Sequence, residues 1–107
     1  NRDQSWFFGN QFVTSWAFIS GENPKSIRLT ERENMARSRM LLRHLNVKNM
    51  KYLLGLGIPG SDDWPVESGF FVLNINSIEA GRIGRKFRQN AILFFRVLKS
   101  VELVWLV

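Results

Sequence analysis

Hydrophobic and polar positions follow the clearest pattern in residues 66–98, where two apolar runs flank a short amphipathic segment. Residues 67–75 carry apolar side chains at both alternating sets of positions, which is typical of a strand covered on both faces. In residues 78–87, small and apolar residues recur at helical spacing opposite a basic face. A second apolar run opens residues 91–98. These positions predict a strand, a short basic helix and a second strand.

Several positions in this stretch carry specific predictions. Ser77 is the expected N-cap of the helix. Gly81 and Gly84 each weaken a helix by about 1 kcal/mol relative to Ala, so we expect close packing of this helix on the sheet. The strand at residues 67–75 is expected to place Phe70, Val72 and Asn74 on one face and Phe71, Leu73 and Ile75 on the other.

The remaining predicted strands show a less regular alternation of hydrophobic and polar residues. Residues 11–20 alternate loosely and predict a strand with both faces partly covered. Residues 51–58 predict another strand, in which Gly55 and Gly57 indicate a bulge or a close backbone approach. Residues 101–107 are expected to pair with the preceding strand as a hairpin.

A longer amphipathic helix is predicted over residues 31–46. Thr30 and Glu33 have the spacing of a capping box, in which the hydroxyl and the carboxylate each accept a backbone N–H of the other residue. Apolar and small residues then recur at helical spacing and define the expected inward face. That face consists of Met35, Ser38, Leu41, Leu42 and Leu45.

The order of elements predicts the fold class. The first six are strand, helix, strand, strand, helix and strand, which is the split βαβ pattern (βαββαβ) of α+β ferredoxin-like folds. We therefore expect an antiparallel sheet with two helices on one face, and an added C-terminal edge strand. Residues 1–107 are interpreted as one domain. Residues 1–10 contain Trp6, Phe7 and Phe8 and are expected to form a packed N-terminal arm.

Four segments resemble a known family. They are FVTSWAFIS, TERENMARSRMLLRHL, WPVESGFFVL and IGRKFRQNAILFF, and they are similar to domain-of-unknown-function family 3293 of small bacterial and phage proteins. The family pattern has an Asn-Pro step at the end of the first strand, Glu-Glu-Ser at the start of the third, and Phe-Gly-Gln-Asn-Ala after the second helix. Here residues 15–18 lack Asn-Pro, residues 66–68 keep one Glu, and Arg88 replaces the Gly. The resemblance implies a fold but no activity.

Composition limits the classes of function. The net charge is +6, which favours anionic partners, and the chain contains no Cys, which excludes disulfides, thiolate metal sites and cysteine nucleophiles. No stretch has the ~18 consecutive apolar residues of a membrane span. We expect a cytoplasmic protein with no membrane span.

Signals for catalysis are few. His44 is the single histidine, and no P-loop, dinucleotide fingerprint, nucleophile elbow or metalloprotease motif is present. A metal site built on histidines and a pair of catalytic histidines are therefore excluded. We expect binding rather than catalysis, with no catalytic residue, no metal and no cofactor.

The positions of the basic residues lead to the main hypothesis about function, which is binding of an anionic partner. If both helices cover one sheet face, their outer faces form an arginine-rich layer that suits phosphates or carboxylates. The expected partner is an anionic macromolecule, either an acidic protein surface or a nucleic acid, and a phage or mobile-element inhibitor of a host nucleic-acid enzyme fits this description. Glutamates at helical spacing could instead neutralise some of these charges. The expected binding residues are Arg32, Arg39, Arg43, Arg82, Arg85, Lys86 and Arg88.

The alternative hypothesis is a small ligand-binding domain or enzyme. Its polar pocket would be formed by Trp64, Glu67, Gln89 and Asn90, which flank the predicted third and fourth strands. A purely structural interpretation is that Asn90 ends the second helix in a left-handed conformation and that Glu67 pairs with an arginine. A separate expectation is a homodimer through the apolar C-terminal edge strand.

Overall fold

A computed structural model describes residues 6–8, 11–60, 65–96 and 101–107, with only the backbone given for residues 6–8, 11 and 12. The element bounds are β1 Trp6–Phe8, β2 Gln11–Val13, β3 Ser15–Ile19, α1 Glu31–Val47, β4 Tyr52–Gly57, β5 Glu67–Leu73, α2 Ser77–Lys86, β6 Ala91–Arg96 and β7 Glu102–Trp105. A short 3₁₀ turn, Pro24–Ser26, lies between β3 and α1. Residues 97–100, between the two strands of the predicted C-terminal hairpin, lie outside the described residues.

The main sheet has the strand order β4-β5-β3-β6-β7, and all its neighbours are antiparallel. With β3 as the first strand of the motif, the order of the first four is that of a ferredoxin-like sheet. β7 is the additional strand at one edge. The predicted α+β fold class is therefore confirmed. β3 and β5 lie side by side in the sheet, with Trp16 opposite Leu73 and Ile19 opposite Phe70.

Both helices lie on the same face of this sheet. Leu41 and Leu45 of α1 and Ala80 and Ile83 of α2 belong to one buried cluster. The sheet contributes Ala17, Ile19, Phe70, Val72, Ile92 and Phe94 to the same cluster. Met35, which was expected to face inward, is 52% exposed, so the buried face of α1 begins later than the pattern predicted. Among the described residues, no helix combines the length and apolar character that crossing a membrane requires.

Two backbone breaks change the predicted strand limits. The strand expected over residues 11–20 is divided at Thr14, whose amide donates to Asn74 Oδ1 at 2.8 Å. Asn74 itself has a left-handed φ of 56°, which ends β5 and shifts the alternation that follows. Ile75 therefore joins the cluster under the helices instead of the opposite face. β1 and β2 form a separate two-stranded antiparallel sheet.

Aromatic rings cover the other face of the main sheet. Trp16 stacks on Phe95 with ring centroids 5.5 Å apart and meets the edge of Phe71 at 5.2 Å. Near β2 this face is buried, because Val13 packs with Trp16 and Phe95. At the β7 edge, by contrast, Trp105 is 66% exposed.

Glycines provide the space for these rings. Gly55 and Gly69 are paired across β4 and β5, and the register between the two strands is continuous, so no bulge is present there. A Cβ on Gly55 would lie 2.4 Å from Phe71 Cε2, and one on Gly69 would lie 2.6 Å from Phe18 Cζ. Close approach, rather than a bulge, therefore explains Gly55.

Gly69→Ala is expected to destabilise the fold by about 1–3 kcal/mol, because overpacking a filled site forces side chains or backbone to move. The added methyl group would meet Ile19 O at 2.8 Å as well as the Phe18 ring, so rotation of the ring alone cannot relieve the contact. Urea unfolding monitored by circular dichroism measures the change.

Gly60→Ala is the matched control, since its Cβ would have nothing within 4 Å among the described residues. We expect its free energy of unfolding to stay within about 0.5 kcal/mol of the parent. Equal effects of the two substitutions would contradict the packing explanation for Gly69.

Candidate functional site

Asn23 is the centre of a polar network at one end of the sheet. Its side chain donates from Nδ2 to Glu67 Oε2 at 2.8 Å, and its Oδ1 accepts from Leu29 N at 2.9 Å and from Asn34 Nδ2 at 3.0 Å. The Asn23 amide in turn donates to Asn34 Oδ1 at 2.9 Å. Asn23 is buried and has a left-handed φ of 47°, a conformation that asparagine tolerates better than most residues. It thus joins the loop after β3 to α1 and to the start of β5.

Two more side chains fasten the same loop to the end of α2. Arg37 of α1 donates from Nε to Gly21 O at 2.5 Å and from Nη2 to Phe87 O. Gln89, also buried, donates from Nε2 to Glu22 O at 3.0 Å. Burial lowers the pKa of Arg37, although the group remains a cation at neutral pH. Arg37 therefore acts in the fold and does not extend the basic surface.

A cleft of about 230 Å³ opens beside this network. The structure brings Glu67, Gln89 and Asn90 together in its wall, although Glu67 lies on β5 and the other two lie between α2 and β6, 22 and 23 residues further along the chain. Asn90 Nδ2 donates to Ser26 Oγ at 2.9 Å. Trp64, the fourth residue of the predicted pocket, lies outside the described residues. The full lining is Asn23, Ser26, Glu67, Gln89, Asn90, Ala91 and Trp105.

The end of α2 differs from the structural interpretation made from the sequence. The left-handed residue is Arg88, with φ of 61°, and not Asn90. The Arg88 amide donates to Arg85 O and the Gln89 amide to Gly84 O, both at 3.0 Å. This is a Schellman motif, whose C′ position is normally occupied by Gly. At the beginning of the same helix, the N-cap is Asn76 rather than Ser77, and its Oδ1 accepts from Glu79 N at 2.7 Å.

The basic residues of α1 form a straight stripe. Arg32, Arg39 and Arg43 are exposed and lie within about 40° of one another around the helix axis, opposite the buried Leu41 and Leu45. The stripe extends about 16 Å along the helix at 1.5 Å per residue. Within the part of the chain that the structure describes, these three arginines make no ion pair.

The basic residues of α2 face the same side of the molecule. Arg82, Arg85 and Lys86 are exposed, and Arg88 follows them. Of these, Arg82 pairs with Glu79 at 3.0 Å, so the predicted neutralisation by glutamate occurs in α2. Because both helices share one core cluster on one sheet face, their outer faces form one continuous layer. We call these seven basic residues the helical basic layer: Arg32, Arg39, Arg43, Arg82, Arg85, Lys86 and Arg88.

A cleft of about 220 Å³ lies between the two helices in this layer. Its lining includes His44, whose ring meets the edge of Phe87 with centroids 5.9 Å apart. Burial, followed by the charges of Lys86 and Lys48, lowers the pKa of His44, and Glu79 opposes this effect. The position near the C-terminus of α1 would favour a cation, but these surroundings act in the opposite direction. No group of three potential metal ligands occurs among the described His, Asp and Glu residues.

Sequence reasoning missed the residues at the centre of the network. Asn23 lies beside the chain breakers Gly21 and Pro24, and Asn34 is one polar residue on the first predicted helix. The usable signal was the Asn23-Pro24 step, which comes four residues after β3 ends. The resemblance implies an Asn-Pro step at the end of the first strand, and this chain has one at residues 23 and 24 instead of within residues 15–18.

Arg88→Gly is expected to stabilise the protein by about 0.5–1 kcal/mol, because Gly adopts the left-handed conformation without the steric cost that a side chain with a Cβ incurs. The substitution also removes a charge that lowers the pKa of Arg37, since Arg37 lies close enough for repulsion. Thermal unfolding at fixed pH and salt measures the change.

Arg88→Ala separates these two contributions. It removes the same charge but keeps a Cβ at φ of 61°. We therefore expect Arg88→Gly to unfold at a higher temperature than Arg88→Ala. If the two variants are equally stable, the left-handed backbone costs nothing at this position.

Comparison with known proteins identifies a family and no characterised relative. The matching family model is described as "Protein of unknown function (DUF3293)" and covers residues 19–92. These residues run from the last residue of β3 into β6, and they include both helices and the whole Asn23 network. No curated protein and no solved structure matches the chain. The resemblance seen in the sequence is therefore confirmed, and the chain belongs to the DUF3293 family.

Proposed function

We propose that this protein binds an anionic macromolecule through the helical basic layer. The observation that supports this proposal is the arrangement of exposed arginines on two helices that share one side of the sheet. The partner is either a nucleic acid or an acidic protein surface. An inhibitor that presents this layer to a nucleic-acid enzyme belongs to the second class.

The residue type supports a specific contact rather than a general surface charge. Six of the seven basic residues in the layer are Arg, whose planar guanidinium can make two parallel hydrogen bonds to a phosphate or a carboxylate. Arg39 and Arg43 stand one helical turn apart and lack an acidic partner among the described residues. Their donors are therefore available to a ligand without breaking a contact that stabilises the fold.

A second candidate function rests on the cleft beside Asn23. Amide groups of Gln89 and Asn90, the carboxylate of Glu67 and the exposed ring of Trp105 meet there. An aromatic ring beside a few polar groups is a common arrangement in sites for small ligands. We propose a small polar molecule with a flat or apolar face as the ligand of this cleft.

Arg39→Glu combined with Arg43→Glu tests the first proposal. We expect binding to a fluorescent 20-base-pair duplex DNA, or to a poly-glutamate chain, to fall at least tenfold, because attraction becomes repulsion at two adjacent positions. Fluorescence anisotropy at low and moderate salt measures the affinity, and the probe that binds indicates the class of partner.

Lys51→Glu combined with Arg96→Glu is the control of equal charge change outside the layer. Both residues are exposed, and neither belongs to a helix. A specific surface predicts a much smaller loss for this variant. Equal losses would mean that only the total charge matters, and failure of the parent protein to bind either probe would refute the proposal.

Trp105→Ala tests the second candidate. In a thermal-shift screen of nucleosides, amino acids and monosaccharides, a ligand of the cleft raises the melting temperature of the parent by mass action and has little effect on the variant. Trp105 is preferable to Gln89 for this purpose, because the Gln89 side chain donates a hydrogen bond to Glu22 O and the loss of that bond would weaken the fold. An identical shift in both proteins would place the ligand elsewhere.

A further inference from the structure

The cleft between α1 and α2 brings several charged side chains together next to the helical basic layer. Lys48 and His44 contribute from α1 and the residue after it, and Arg82, Lys86 and Glu79 contribute from α2. Glu79 is already engaged by two cations, Arg82 at 3.0 Å and Lys48 at 3.5 Å. One carboxylate therefore faces three cations and an imidazole, which leaves an excess of positive charge in a confined space.

We propose that this cleft is the seat for one phosphodiester group of a nucleic acid that lies across the helical basic layer. The inference rests on the proposed function and selects nucleic acid as the partner. The cleft has a volume of about 220 Å³, which admits a phosphate group with accompanying water, since a water molecule occupies about 30 Å³ in the liquid. Ammonium and guanidinium donors approach from both walls, as a phosphate with several acceptor oxygens requires.

The geometry of the layer favours a linear polyanion over an acidic protein surface. The cleft contains Lys86, and the Arg32–Arg39–Arg43 stripe runs about 16 Å along α1 and ends one residue before His44 of the cleft lining, about 100° away around the helix axis. A nucleic-acid strand presents phosphates at regular intervals along one direction, so a strand seated in the cleft can place further phosphates against the stripe. Carboxylates on a folded protein have no such fixed repeat.

His44 provides a direct reporter of this occupancy because it is the single histidine of the chain. It is half-buried, and the groups that face it are Lys48, Glu79 and Lys86, with Arg82 in the same lining and the Phe87 ring against it. Its pKa is lowered partly by repulsion from the two lysines. A phosphate between them offsets that repulsion and favours the imidazolium. Bound nucleic acid therefore raises the pKa of His44. By linkage, the affinity of the protein for nucleic acid increases as the pH falls through the pKa of His44.

The test is a nuclear magnetic resonance titration of the His44 imidazole on the full chain, without ligand and with saturating 20-base-pair duplex DNA, near physiological ionic strength. Screening over about 8 Å limits the influence of distant phosphates under these conditions. Leu103→His adds a second reporter on the edge strand β7, where residue 103 is exposed and pairs with Leu93. We expect a clear upward shift of the His44 pKa and a much smaller shift for His at position 103.

The outcomes separate this inference from the proposed function. If anisotropy shows binding and the His44 pKa does not move, the cleft is not the seat and the helical basic layer still stands. If poly-glutamate raises the His44 pKa as much as DNA does, the phosphodiester assignment is wrong. If no anionic probe binds, both proposals fail.

Lys86→Gln and Lys25→Gln provide a matched pair that removes one positive charge each. Lys86 lines the cleft, whereas Lys25 is exposed in the loop before α1. Loss of a phosphate contact is expected to reduce the slope of log affinity against log salt by about 1 for Lys86→Gln. The slope for Lys25→Gln should stay close to that of the parent. Indistinguishable slopes would overturn the assignment of a phosphate to this cleft.

Discussion

The hydrogen bonds of Asn23 are the constraint on which the arrangement of this protein depends. Buried polar groups require partners, and Asn23 finds them in α1 through Asn34, in β5 through Glu67 and in its own loop through Leu29. Replacement of this residue by an apolar one would leave several groups unpaired at once, each at a cost of about 1–3 kcal/mol. The network therefore determines how the loop after β3 leads into the first helix.

Hydrogen bonds also connect the end of the second helix to α1 and to the same loop. Arg37 reaches from α1 to Phe87 O, and Gln89 reaches from beyond α2 to Glu22 O. Main-chain acceptors at a helix end and in a loop would otherwise be left unpaired or exposed to water. These bonds hold the end of α2 close to α1. The proximity of the two helices in turn creates the cleft lined by His44 and Lys86.

The residues that match the family model include the whole hydrogen-bond network of Asn23. The matched residues 19–92 contain Asn23, Asn34, Glu67 and Gln89, which come from four separate parts of the chain. The left-handed Arg88 at the end of α2 is part of the same region. It occupies the C′ position of a Schellman motif, which favours a residue without Cβ. The arginine adds charge to the helical basic layer at a conformational cost.

The sequence by itself determined the local elements and their order. Apolar periodicity, the capping box of Thr30 and Glu33, and the breakers between segments predicted both helices and the strands of the main sheet, because these signals act over a few residues. It also predicted the inward residues of α2 and the outward basic faces. Glu67, Gln89 and Asn90 were named as one set, but nothing local could show that they share a wall.

Only the tertiary structure decided what meets at long range. The shift of Ile75 after Asn74 depends on a distant segment, since Asn74 Oδ1 accepts from Thr14 N and the Asn74 amide donates to Ser15 O. The left-handed Arg88 also has a distant partner, because its carbonyl accepts from Lys25 N. The central position of Asn23 depends on three elements that converge in space, and the charge of the interhelical cleft depends on the proximity of Lys48 and Lys86. Spacing along the chain predicts which side of an element a residue occupies. Packing of the elements decides which residues that side will face.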